Sequence, residues 1–160
     1  IWGYVYTGDD ANWNPIIEKW DTPQNINWSA VDVACGPNVF ALVTAKGKLY
    51  TWGMGPMGET GYGEGNPKNS AEPRWILSDV LTVQCDEYTC QALTEDGDLY
   101  VWGGNFEHRS LGMDDFYVME PTRLMRNVQQ ADLDRFSGAA LTQDGQLYLW
   151  GYYQGKDNDP

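Results

Sequence analysis

Three stretches decide the fold: Thr44-Ala-Lys-Gly-Lys-Leu-Tyr-Thr-Trp-Gly53, Thr94-Glu-Asp-Gly-Asp-Leu-Tyr-Val-Trp-Gly103 and Thr142-Gln-Asp-Gly-Gln-Leu-Tyr-Leu-Trp-Gly151. They are copies of one pattern at a period of about fifty residues, the mark of a chain assembled from stacked supersecondary units. Ile1-Trp2-Gly3 falls in the same phase and reads as the tail of a further copy. Each copy reads as a β-hairpin. An apolar run such as Gln91 to Thr94 meets a tight turn at Asp96-Gly97, and a second run, Leu99 to Trp102, follows. Gly47, Gly97 and Gly145 sit where such a turn demands a positive φ. In the second run, period two puts Leu99 and Val101 on one face and Tyr100 and Trp102 on the other. Both faces are apolar, so this strand must be covered on both sides.

Working outward, Val31 to Cys35 and Val80 to Cys85 supply an upstream strand, and Val128 to Leu133 supplies a more polar, more exposed one. A fourth strand is expected after Pro73 (Arg74 to Leu77) and after Pro121 (Thr122 to Met125). Four short antiparallel strands per repeat, covered on both faces by neighbouring repeats, make a propeller blade. Composition agrees: 42% hydrophobic and 21% charged residues describe a folding chain, and 18 glycines beside 8 Trp and 10 Tyr favour tight turns between aromatic-rich strands.

The 23 acidic and 10 basic side chains leave a formal charge of −13. That balance disfavours direct contact with nucleic acid or anionic lipid and suits a protein partner with a basic surface, although an acidic surface also serves solubility alone. No apolar run is long enough for membrane insertion, and the N-terminal residues have no signal-peptide pattern. Cys35, Cys85 and Cys90 lack the spacing of a zinc site and are expected as buried free thiols, which favours a reducing, intracellular compartment; a hairpin disulfide between Cys85 and Cys90 is the geometric alternative. Asn27-Trp28-Ser29 matches a glycosylation sequon, a pattern common by chance.

With these residues in view, the chain resembles the regulator of chromosome condensation (RCC1-type) repeat family. The family pattern runs roughly V-x-x-V-A-C-G, then A-L-T-x-D-G-x-L-Y-x-W-G, then G-Q-L-G-x-G. Val31 to Gly36 fit the first part, the three hairpins the second, and Gly58-Glu59-Thr60-Gly61-Tyr62-Gly63 the third, with Leu111-Gly112 as a weaker echo. The resemblance implies an all-β propeller, here a partial ring of about three four-stranded antiparallel blades within a seven-bladed propeller or an assembly. Over residues 1–160 it divides into a divergent first repeat (1–53), a second (54–103), a third (104–151) and a further unit or tail (152–160). The structural repeat positions are Trp52, Trp102 and Trp150 with the turn glycines. Where the family often carries His, this chain has Val39, Thr89 and Ser137. The segment from Tyr4 to Ala30 departs most and reads as a distorted blade or an inserted loop.

A search for chemistry finds no catalytic, cofactor or metal site. His108, the sole histidine, falls in a polar connecting loop, so no nucleophile–histidine arrangement can be placed. Gly53 to Gly58 lacks the Gly-Lys-Ser/Thr end of a phosphate loop and reads as a blade-to-blade turn. Asp9-Asp10, Asp114-Asp115 and Asp157-Asn158-Asp159 have no calcium-loop spacing and read as solvated tips.

The expected function is a non-catalytic protein–protein interaction or scaffold module, with Trp13, Trp20, Trp28, Phe116 and Tyr117 as candidate partner contacts. Filling the gap between blades is the other reading of these aromatics. The alternatives are guanine-nucleotide exchange on a small GTPase and proteinaceous enzyme inhibition. The family's founding member performs exchange by pressing a loop wedge and an acidic surface against the nucleotide site, and no wedge hairpin is evident in this sequence. Blade faces left open by a partial ring are expected to be covered by missing blades, self-association or a larger assembly.

Overall fold

The computed structural model describes residues 3–105 and 110–151. Ile1 and Trp2, the loop position of His108, and the segment 152–160 with Asp157 and Asp159 lie outside the described residues. Thirteen strands are described, and no helix accompanies them among these residues. A two-stranded hairpin comes first, β1 (Gly3–Asp9) and β2 (Pro15–Trp20). Next come a four-stranded sheet, β3 (Asp32–Cys35), β4 (Val39–Val43), β5 (Leu49–Gly53) and β6 (Ser70–Leu77), and a second, β7 (Val80–Cys85), β8 (Thr89–Thr94), β9 (Leu99–Gly104) and β10 (Tyr117–Met125). A third contains β11 (Val128–Leu133), β12 (Ser137–Thr142) and β13 (Leu147–Gly151). Every sheet is an antiparallel meander in chain order. This is a propeller architecture in a ring that does not close.

Each four-stranded sheet reaches past its Trp-Gly step for the last strand, so β6 and β10 come after the loops 54–69 and 105–116. Both begin earlier than Pro73 and Pro121, at Ser70 and Tyr117, and both are bulged against β5 and β9. The irregular pairing lets the prolines sit in edge strands, where a missing N–H is tolerated.

The hairpin turns repeat one chemistry. Gly47 N donates to Thr44 O at 2.9 Å, and Lys48 N donates to Thr44 Oγ1 at 3.2 Å. Thr94 and Thr142 accept from Asp98 N and Gln146 N in the same way, each at 3.0 Å. The turns also bind the sheets to one another: Val80 N donates to Gly47 O and Val128 N to Gly97 O, both at 2.9 Å. The connection between sheets is held to two residues by Asp79 and Asn127 in the left-handed conformation, φ 61° and 60°. Their carbonyls accept from Glu95 N and Gln143 N, both at 2.8 Å. Gly145 occupies the third turn with open space around it, since no further sheet follows among the described residues.

The core lies between sheets rather than within one. Val39, Ala41, Val43 and Leu49 of the first four-stranded sheet pack with Val80, Val83, Ala92, Val101 and Trp102 of the second. Leu93, Leu99, Val128 and Ala140 form the next layer, with Trp150 against it. The expectation that β9 is covered on both sides is met, with Leu99, Val101 and Trp102 fully buried and Tyr100 half-buried. β11 is exposed at half of its positions and buried only at Val128, in line with its polar sequence.

The expectation for the cysteines is corrected. Cys85 and Cys90 are not free thiols: they are opposed in the β7–β8 ladder and joined by a disulfide, while Cys35 is free and exposed rather than buried. Free thiols therefore give no support for a reducing compartment. The divergent first segment contains a hairpin. β1 runs on past Gly3 to Asp9 and pairs with β2, and the irregular insertion is confined to 21–31.

Candidate functional site

Strand direction sorts the connections onto two ends of the sheets. The tight turns at 44–48, 94–98 and 142–146 lie at one end. The long loops 54–69 and 105–116 and the turns at 36–38, 86–88 and 134–136 lie at the other. Val5, Tyr6 and Thr7 of β1 sit beside Ala71, Glu72 and Pro73 at the start of β6, which brings the hairpin to the long-loop end.

The long loops are braced from inside. In loop 54–69, Thr51 Oγ1 donates to Thr60 O at 2.6 Å, Tyr62 Oη to Thr51 O at 2.8 Å and Thr60 Oγ1 to Lys68 O at 2.9 Å. In loop 105–116, the buried Asn105 side chain donates to Met113 O at 2.6 Å and Asp115 O at 2.8 Å, and its Oδ1 accepts from Leu111 N at 3.1 Å. Asn105 N donates to Phe116 O at 2.8 Å, and Gly63 N to Met119 O at 2.9 Å joins the two loop regions.

Each loop also receives the tryptophan of the next sheet. Trp102 Nε1 donates to Glu59 O at 2.8 Å and Trp150 Nε1 to Ser110 O at 2.7 Å. The indoles rest against Gly61 and Gly112, where a Cβ would crowd the ring. Trp52 meets β1 instead, in a cavity of about 320 Å³ shared with Tyr6, Trp20 and Trp28. The glycine after each tryptophan has φ of 114°, 110° and 104° at Gly53, Gly103 and Gly151. A Cβ there would collide with the carbonyl oxygen of Asn38, Tyr88 or Phe136, which makes Trp-Gly a steric unit.

The described ends of these loops and the hairpin present aromatics to solvent. Phe116 is 66% exposed and Tyr117 49%, and Trp13 at the β1–β2 turn is 85% exposed with φ 63°. Asp10 braces that turn by accepting from Asn12 N at 2.7 Å and Asn14 N at 2.9 Å; these bonds, that from Asn14 first, hold its carboxyl below the usual range. The long-loop end is acidic, with Glu64, Asp86, Asp114, Asp115, Glu120 and Asp134, and the β1–β2 turn adds Asp9 and Asp10 on the hairpin. Among the described residues its connections carry two basic side chains. Lys68 Nζ donates to Pro56 O at 3.1 Å, and Arg135 is paired with Glu87. Lys46 and Lys48 lie at the opposite end.

No family model matches this chain. The human E3 ubiquitin-protein ligase HERC2 is 36% identical over 80 residues, covering 47% of this chain and 2% of that protein. A human RCC1-like G exchanging factor-like protein is 34% identical over 85 residues, covering 51% of this chain and 18% of that protein. The structure of yeast RCC1 (Prp20) bound to Kap60 superposes with a TM-score of 0.69 at 25% identity, over 98% of this chain and 40% of that one. The chain is built of RCC1-type β-propeller repeats. It spans less than a fifth of the length of these curated relatives and well under half of the yeast propeller.

Within the RCC1-type frame, the structure distributes the predicted contacts over three places. Phe116 and Tyr117 stand together at the start of β10, and Trp13 stands apart on the hairpin. Trp28 is 43% exposed and lies edge-on to Tyr50 with ring centroids 4.9 Å apart, on the 21–31 insertion. Trp20 is half-buried and donates through Nε1 to Glu18 at 3.1 Å, so its ring fills space beside Trp52. Sequence reasoning missed Asn105, Tyr62 and Glu59. Glu59 had a signal, because it occupies the Gln position of the G-Q-L-G pattern; Asn105 had none beyond following a Trp-Gly step. Glu59 is fully buried, Oε2 accepts from Met57 N at 2.8 Å, and Oε1 has no hydrogen-bond partner among the described residues. Burial raises its carboxyl above the usual range, against the opposing pull of those backbone bonds. Among the described residues, no group of three or more Cys, His, Asp or Glu side chains converges to hold a metal ion.

Proposed function

We propose that this RCC1-type segment is a non-catalytic protein-interaction module that docks basic partners through its long-loop end. One observation carries the reading: exposed Phe116 and Tyr117 stand together at the acidic end, beside backbone held by the Asn105 side-chain bonds, and Trp13 offers a separate exposed ring on the hairpin. Exposed rings on a rigid scaffold bind at low entropic cost, and acidic surroundings select the charge of the partner. The yeast RCC1 structure, solved with the protein Kap60, supports protein recognition as a use of the fold.

Affinity capture from a cell lysate tests the proposal, comparing the wild-type chain with a variant carrying Trp13→Ala, Phe116→Ala and Tyr117→Ala. The expected result is a set of proteins held by the wild type and lost by the variant, with the variant's near-ultraviolet circular dichroism showing native packing. Equal capture by both chains would remove the aromatics from the interface.

Guanine-nucleotide exchange is the second reading. It draws on the β1–β2 hairpin, on the acidic loops and on a relative named as an exchanging factor. Nucleotide release from small GTPases decides between the two.

A further inference from the structure

A groove of about 560 Å³ opens between loop 54–69 and the start of β10. Gly63, Glu64, Asn66 and Lys68 line one wall, and Asp115, Phe116, Tyr117 and Met119 the other. Its floor is tied by the Gly63 N to Met119 O bond, and Gly58 lies so close to Val118 and Met119 that a Cβ would crowd them. Glu120 Oε2 reaches to 3.2 Å from where a Cβ on Gly63 would lie, which puts a further carboxylate at the rim.

Rigid walls, two half-exposed to exposed aromatic rings and carboxylates on both sides describe a receptor for a cation carried on an apolar stem. Among the described residues that line the groove the basic group is Lys68, and its ammonium is turned to the Pro56 carbonyl. The chain already uses the contact a partner would make: the Arg74 guanidinium lies 4.2 Å from the Tyr62 ring centroid, and Arg135 lies 5.1 Å from that of Phe136. Arginine suits such a place because its planar guanidinium stacks on a ring face while its N–H groups pair with carboxylate.

We infer that this groove docks an extended, arginine-bearing segment of the partner protein, with the guanidinium stacked on Phe116 or Tyr117 and paired with Glu64, Asp115 or Glu120. The inference rests on the proposed interaction role and names the partner chemistry for one part of that surface.

The test is fluorescence anisotropy with a short fluorescein-labelled peptide that alternates arginine and glycine around one phenylalanine, at physiological salt. Because any basic peptide feels the −13 charge of the chain, the decisive comparison is between two variants of equal charge change. Glu64→Lys with Asp115→Lys alters the groove, whereas Glu95→Lys with Asp96→Lys alters an exposed turn at the opposite end. The groove pair is expected to weaken binding about tenfold and the turn pair less than about twofold, with Phe116→Ala weakening it about threefold or more at unchanged charge. Equal weakening by both pairs, or no effect of Phe116→Ala, would overturn the groove and leave only a diffuse electrostatic field. No binding by the wild type would overturn it as well. Lysate capture that still depends on the exposed aromatics would then show that the interaction role stands and the groove does not.

Discussion

Trp102 Nε1 donates a 2.8 Å hydrogen bond to the Glu59 carbonyl across the joint between two sheets, and both residues are fully buried. Trp150 and Ser110 repeat the bond at the next joint with a partly exposed indole. The ring fills the joint, and its single donor satisfies a carbonyl that water cannot reach. Trp102→Phe keeps most of the apolar contact and removes the donor, so it is expected to cost about 1–3 kcal/mol. Trp150→Phe is expected to cost less. Urea unfolding followed by far-ultraviolet circular dichroism measures both.

The glycines separate two steric demands. Gly103→Ala would drive a Cβ into the Tyr88 carbonyl at a positive φ, and a loss of about 3 kcal/mol or more is expected. Gly145→Ala meets open space and carries only the positive-φ cost of about 1–2 kcal/mol. The same unfolding series ranks them; equal losses would mean that the close approach to Tyr88 is unimportant.

Glu59 makes stability depend on pH. Its native carboxyl is raised above the ordinary glutamate value, so the native state holds the proton more tightly than the unfolded chain does. That contribution is fully present below the ordinary value and is lost as pH rises through the raised one. Glu59→Gln should therefore stabilise the chain by about 1–3 kcal/mol at pH 7 and by little near pH 4, as thermal midpoints at the two values would show. A gain independent of pH would argue against a buried charge.

The disulfide leaves Cys35 as the sole free thiol. Thiol titration of the unreduced native chain should find one reactive group per molecule, and three would contradict the cross-link. Reduction is expected to cost about 2 kcal/mol, since the bridge closes a short loop with a sequence separation of 5.

Nucleotide release from a panel of small GTPases should proceed at its intrinsic rate in the presence of this chain. Acceleration by a folded sample would replace docking with exchange as its activity.

What could be read from the sequence follows from how local each feature is. Period-two runs and the Lys-Gly and Asp-Gly turns are local, so β4, β5, β8, β9, β12 and β13 are legible, and Pro73 and Pro121 mark the last strand of two sheets. Ser70 to Glu72 and Tyr117 to Glu120 were not read as strand because they pair through bulges. The β1–β2 hairpin was hidden by Asn, Pro and Trp residues, and its turn is held by Asp10 side-chain bonds rather than by an Asn-Gly or Asp-Gly pair. The spacing of Cys85 and Cys90 allows a pair, but spacing alone does not distinguish opposed thiols from a bond. Phe116 and Tyr117 are legible as aromatics in an irregular segment. The groove beside them was not legible, because it depends on loop 54–69 returning to meet Met119.

The most direct test of the docking surface is zero-length carbodiimide cross-linking of captured complexes, which joins carboxylates of this chain to lysines of a bound protein, followed by mass spectrometry. The account predicts cross-links at Glu64 and Asp115, beside the exposed aromatics of the long-loop end. Cross-links confined to Glu95, Asp96 and Asp144 would place the partner on the tight-turn end and contradict it.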